Sequence, residues 1–276
     1  MLQNSIAFTV GLSILLGLLP AIIWGLFFLN KSTEKRYMIV RTFMLGALMV
    51  VPLVIYRSLW DAFPSIDLAK NLQPLEAYGL GFGGLTLNYV FLYLSIGVIE
   101  EVSKYFVVKK VDAKEINSVR DSIEFSIIAA LGFSFAENTF YFIQIHQNFE
   151  LNMLLSVFVF RSLFSTFAHI LFSAIYGYHA GLAKFAKEIY KETSKKSLYR
   201  KFIYKLSKFL SVKGSDLFED QHRFLGLFLA SFLHAIFNLL LEAGITAFLF
   251  PFLAIGFIHV SYLVFNRDYF VSKDWK

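Results

Sequence analysis

Two adjacent carboxylates, Glu100 and Glu101, stand inside an apolar stretch from Phe82 to Val108, with Lys104 one helical turn further on. Paired carboxylates do acid–base work or hold a cation. A charge at the centre of a membrane helix disfavours insertion by roughly 2.5 to 3.5 kcal/mol, so a tandem pair implies a polar interior and chemistry within it. Helical spacing puts Lys104 within reach of either glutamate, where its ammonium offsets charge that a bilayer cannot solvate. A purely structural ion pair would need one glutamate for one lysine. The second carboxylate creates a like-charge pair that a single lysine does not neutralise.

Three further apolar runs carry polar groups of the same kind. The run from Gly132 to Tyr141 holds Ser134, Glu137, Asn138 and Tyr141, while Ala129, Ala130 and Gly132 would let a neighbouring helix approach closely. Asn138 alone would serve equally well as a hydrogen bond between helices. In the next run Ser162, Ser165, Thr166, His169, Ser173 and Tyr176 follow a helical spacing and form one polar stripe, with Arg161 at its outer end. Further on, His234 and Asn238 lie four apart on one face with Ser231 nearby. The plainer reading of either histidine is a core imidazole bonded to a local hydroxyl. His146 and His222 fall in expected loops and His259 is isolated, so none of these receives a role.

These residues need helices to hold them, and the composition says which kind. The chain of 276 residues is 57% hydrophobic and 18% aromatic, with 33 Phe and only 17% charged residues, and its mean hydropathy is +0.60. A soluble domain carries about a quarter charged residues. With no cysteine there is no disulfide, thiolate ligand or cysteine nucleophile. Seven apolar runs near 5–29, 37–60, 82–108, 122–145, 151–183, 223–242 and 245–265 are long enough to span a bilayer. The fold class expected is therefore all-α, a polytopic transmembrane helix bundle.

The net charge of +6 does not indicate nucleic acid, because the basic residues flank the apolar runs. Lys31, Lys35 and Arg36, then Lys109, Lys110, Lys114 and Arg120, then the lysine-rich segment 184–222, and finally Arg267, Lys273 and Lys276 occupy every second connection. The positive-inside rule places the N-terminus outside and the C-terminus in the cytoplasm, and the first span is read as retained. Within 184–222, Tyr199, Phe202, Ile203, Leu206, Phe209 and Leu210 recur at helical spacing among Arg200, Lys201, Lys205 and Lys208. This predicts an amphipathic helix on an anionic inner leaflet. The outer connection from Asp61 to Gly84 contains Pro64, Pro74, Gly79, Gly81, Gly83 and Gly84, and reads as a lid or a plain connection.

Glu100-Glu101-Val102-Ser103-Lys104 fits an EExxK motif, Phe133 to Glu137 with Asn138 fits FxxxEN, Arg161 and His169 form an R…H element, and His234 with Asn238 fits HxxxN. Together they resemble the PrsW family of polytopic intramembrane proteases, and Gly177 and Gly181 look like the glycines that follow that family's histidine. The related type II CAAX prenyl endopeptidases and their bacterial immunity-protein relatives would show EExxxR and FxxxH instead. The resemblance implies that residues 1–276 form one integral membrane protease domain in the plasma membrane, cleaving membrane-anchored proteins, with anti-sigma factors one known class.

Hydrolysis of an amide needs a base for water and a stabiliser for the oxyanion. The expected catalytic set is Glu100, Glu101, Glu137, His169 and His234, with Glu101 as base and Glu100 orienting it. Lys104, Asn138, Arg161 and Asn238 support it, and His169, His234 and Asn238 supply oxyanion donors. The absence of an HExxH helix favours a mechanism without a cofactor. The alternative is zinc, which would accept Glu100, Glu101, Glu137, His169 and His234 as its donor set. A different class of function, a proton-coupled transporter or channel, would use the same intramembrane ionisable groups, but no inverted repeat or pair of broken helices supports it.

Overall fold

The structure is a computed structural model that describes residues 6–29, 36–64, 81–82, 85–111, 115–148, 151–192 and 197–265. Residues 65–80 and 83–84 of the outer connection, Lys31, Lys35 and Lys114, and the basic tail from residue 266 lie outside the described residues. In chain order the helices are α1 (Ile6–Leu29), α2 (Arg36–Leu48), α3 (Val51–Ala62), α4 (Leu87–Val111), α5 (Val119–Asn148), α6 (Leu151–Phe160), α7 (Thr166–Lys184), α8 (Ala186–Glu192), α9 (Leu198–Phe209), α10 (Gly214–Glu242) and α11 (Leu249–Phe265). A short antiparallel hairpin, β1 (Gly81–Phe82) with β2 (Leu85–Thr86), leads directly into α4. The all-α helix bundle expected from the sequence is the architecture observed.

Among the described residues, six helical stretches are long and apolar enough to cross a membrane: Ile6–Leu29, Arg36–Trp60, Val119–Gln147, Asn152–Lys184, Gly214–Glu242 and Thr246–Phe265. The third run of the sequence reading, now α4, is 25 residues long but is interrupted by Glu100, Glu101 and Lys104. Its length of roughly 37 Å, at 1.5 Å per residue, matches the other spans. The second span is broken between α2 and α3, where Pro52 falls in the first turn of α3. There its missing N–H costs nothing, because that donor has no partner inside the helix.

The bundle is built around α5, which packs most extensively against α7, α2 and α1, while α7 packs against α10 and α10 against α4. Buried Ile123, Phe125, Ile127, Ile128, Ala129, Ala130 and Phe133 line α5 on several faces, as expected of a central helix. Its first turn is closed by Ser118 and Asp121: Ser118 Oγ accepts from the Asp121 N–H at 3.1 Å and Asp121 Oδ2 accepts from the Asn117 N–H at 2.8 Å. Two glycines permit α2 and α5 to touch backbone to backbone. A Cβ at Gly132 would overlap the Phe43 carbonyl, and one at Gly46 would overlap the Ala129 carbonyl. Gly177 and Gly181 do the same for α7 against α5, where a Cβ would come within 2.7 Å of the Ser122 carbonyl and 2.8 Å of Val119 Cα, respectively. The outward faces carry exposed Leu15, Ile23, Leu26, Phe250, Ile255 and Ile258, a belt suited to lipid.

Candidate functional site

The polar residues of the four runs meet where α4, α5 and α10 surround the first turn of α7, which is the middle of the Asn152–Lys184 span. Lys104 Nζ donates to Glu101 Oε1 at 2.5 Å and lies 3.2 Å from His169 Nδ1. His234 Nδ1 is 2.8 Å from the same Glu101 oxygen, and its Nε2 is 3.6 Å from Glu100 Oε2. His169 Nε2 is 3.1 Å from Glu137 Oε2, and its Nδ1 is 4.0 Å from Glu100 Oε2. Glu100, Glu101, Lys104, His169 and His234 are all buried. Helix ends read from sequence leave the relative depths open; this mutual bonding places the four clusters at one level.

Glu137 is anchored from the far side by Arg161, whose terminal nitrogen donates to Oε2 at 2.6 Å while Nε donates to Asn138 Oδ1 at 2.6 Å. The guanidinium also lies 3.9 Å from the centre of the Tyr141 ring, a cation–π contact. Asn138 Nδ2 donates to Ser134 Oγ at 3.2 Å and to Thr166 Oγ1 at 3.1 Å, and Ser134 donates to Thr166 Oγ1 at 3.1 Å. Each polar group in this network therefore has a partner, which keeps a buried network from costing stability.

Arg161 reaches Glu137 because the chain widens into a π-turn over Arg161–Ser165 between α6 and α7. Such a turn inserts a residue and re-aims the side chains before it. Thr166 Oγ1 donates to the Arg161 carbonyl at 3.0 Å, and Trp24 Nε1 of α1 donates to the Ser162 carbonyl at 2.9 Å. The regular stripe expected from Ser162 to Tyr176 is interrupted at its start by this π-turn, while Arg161 and His169 still converge on Glu137.

The bonding fixes the histidine tautomers. A carboxylate only accepts, so His234 carries its proton on Nδ1 and His169 on Nε2; an ammonium only donates, so His169 Nδ1 offers a lone pair. Each imidazole is thus tied to one carboxylate and turns its other nitrogen toward Glu100. Glu100 Oε2 is buried and has no hydrogen-bond partner among the described residues. The three ligand atoms of Glu100, His169 and His234 all lie within 4.8 Å of one another. Tetrahedral zinc ligands at 2.0–2.1 Å are separated by roughly 3.3 Å, so modest side-chain rotation closes the set. A histidine whose second nitrogen donates to a carboxylate is the usual outer arrangement of a metal ligand. The buried Glu100 oxygen, His234 Nε2 at 3.6 Å from it and His169 Nδ1 at 4.0 Å from it are donor atoms of the types a divalent ion takes, with Lys104 beside His169 Nδ1 as the competing partner.

Not every expected residue joins the cluster. Asn238 is half-buried one turn beyond His234 and makes no hydrogen bond to the carboxylates among the described residues. His169 and His234 face Glu100 with acceptors, so a donor role toward an oxyanion would need a further proton on each. His146 and His222, expected in loops, lie on α5 and α10, because both helices run past their apolar cores. Phe172 stacks on His234 with centroids 5.1 Å apart, and the Phe133 ring lies 5.0 Å from Lys104 Nζ. Phe172, like Trp24, has no spacing signal that marks it among so many aromatics.

Residues 34–265 match the PrsW family of intramembrane metalloproteases. The chain belongs to the PrsW family. Protease PrsW of Oceanobacillus iheyensis is 28% identical over 157 residues, which is 56% of this chain and 60% of that protein. This chain thus spans about three fifths of the length of that curated relative. No solved structure matches it. PrsW membership together with several apolar helices makes this a multi-pass membrane protein.

Proposed function

We propose that this chain hydrolyses peptide bonds of membrane-anchored proteins near the middle of the bilayer, with Glu100, His169 and His234 holding a divalent ion of the zinc type and Glu101 acting as base. The observation that carries the reading is the pair of histidines, each tied to one carboxylate and turned toward an unpartnered Glu100 oxygen. The chemistry that zinc supplies when bound is polarisation of the scissile carbonyl and a bound water that ionises near neutral pH.

The chain's own residues do the rest. Both contacts to Glu101 fall on Oε1, so Oε2 is the oxygen assigned to the water. That oxygen takes a proton from water as the water oxygen bonds to the carbonyl carbon. It then returns the proton to the amide nitrogen as the C–N bond breaks, giving a carboxylic acid and an amine. Lys104 orients Glu101 through its contact to Oε1, and Arg161 holds Glu137, which holds His169; these are positioning roles. A substrate helix must unwind locally, because its carbonyls are engaged in backbone bonds that the bilayer does not replace. The segment next to the cleaved bond therefore needs helix-weakening residues. Single-span anti-sigma factors in the plasma membrane are the first substrate class to test.

A second reading has its own observation. Lys104 Nζ at 3.2 Å from His169 Nδ1 takes up the lone pair that an ion would need, which favours water activation by the Glu100–Glu101 pair alone. Metal content separates the two. Purified protein carrying about one equivalent of zinc, retained in Glu101→Gln and lost in Glu100→Gln, supports the first reading. Full activity in metal-free protein supports the second.

A further inference from the structure

We infer that α9 is an anchor for anionic lipid headgroups at the basic end of the bundle. The helix divides into three arcs at about 3.6 residues per turn. Ile203 and Ser207 are buried against the protein, with Tyr199 as their border. Tyr199 donates its hydroxyl to Gln221 at 3.0 Å, and its ring lies 6.1 Å from that of Phe218 on α10. A second arc carries Leu198, Phe202 and Phe209, which are 83%, 60% and 84% exposed. The third arc, beside it, carries exposed Lys201, Lys205 and Lys208. A solvated helix would not turn three large apolar side chains outward on one face while hiding a serine.

The position of the helix selects the occupant. α4 runs antiparallel to α10, since Gly97 packs on Ser231 and Tyr93 donates to Glu242 at 2.7 Å. The first turns of α10, which α9 contacts, therefore lie at the same end as exposed Lys109 and Lys110 of α4. An apolar arc at the end of the spans, rimmed on one side by lysines, matches a headgroup boundary, where apolar groups enter the acyl region and ammonium groups stay with phosphates. Each lysine near an anionic surface contributes roughly a fivefold gain in partition at low salt.

The chain's lack of cysteine makes the test direct. Full-length Phe202→Cys, Phe209→Cys and Tyr204→Cys proteins, each with an environment-sensitive fluorophore, are placed in phosphatidylcholine vesicles with and without phosphatidylglycerol and with nitroxide-bearing lipid as quencher. Tyr204 is exposed on the side away from the apolar arc. The inference predicts severalfold stronger quenching at 202 and 209 than at 204. It also predicts a rise on adding phosphatidylglycerol that is lost in high salt and in a Lys201→Gln, Lys205→Gln, Lys208→Gln variant whose melting is unchanged. Equal quenching at all three sites overturns it. So does shielding at 202 and 209 without lipid quenching, or shielding that grows with protein density, since these outcomes assign the face to a partner protein or a second copy.

Discussion

At the residue scale, the site is a chain of buried charges in which each carboxylate has a distinct task because each has a distinct set of neighbours. Glu137 sits between Arg161 and His169, Glu101 between Lys104 and His234, and Glu100 faces two imidazoles with one oxygen unpartnered. Removing one partner of a buried pair costs about 3–5 kcal/mol, because the other charge is left without compensation. Arg161→Met should therefore lower the denaturation midpoint markedly, and Glu137→Gln on that background should recover part of the loss. A double variant no more stable than Arg161→Met would assign the arginine a packing role only. The residue types were legible in the sequence, since each is a polar group that lipid rejects. Which carboxylate served which histidine was not, because that pairing is settled between helices far apart in the chain.

At the element scale, the cluster exists because α2, α5 and α7 approach closely enough to hold it. Gly132 and Gly46 meet carbonyls of the opposing helix, whereas a Cβ added at Gly11 on α1 would meet nothing within 4 Å among the described residues. Gly132→Ala should cost about 1–3 kcal/mol by overpacking, while Gly11→Ala should be neutral or slightly stabilising. Thermal unfolding in detergent measures both, and equal midpoints would mean that α2 does not hold its position on α5. The π-turn offers a second check. Deleting Leu163 should return Arg161–Ser165 to α-helical register and turn Arg161 away from Glu137, with loss of activity in a protein that still inserts. Spans were legible from apolar run length. The break between α2 and α3, the π-turn and the extension of α10 back to Gly214 were not. The first falls inside continuous apolar sequence, the second leaves the polar stripe in a spacing that still reads as helical, and the third is a polar helix that a hydropathy window passes over.

At the scale of the whole molecule, an outward apolar belt surrounds a polar centre that no water-soluble fold would need. The reactive groups lie halfway along the spans, so hydrolysis should occur deep within the apolar segment of a substrate. Basic residues at the ends of α4 and α7 and on α9 give the bundle one cationic end, which fits a cytoplasmic face. The most direct test is cleavage of single-span reporter proteins by purified protein in lipid, with products mapped by mass spectrometry beside the Glu101→Gln variant. A cut within the reporter's apolar segment is expected, with turnover in the variant lower by roughly 10²- to 10⁴-fold and folding and metal content unchanged. Equal product from both proteins, or a cut only in the soluble flanks, would contradict it.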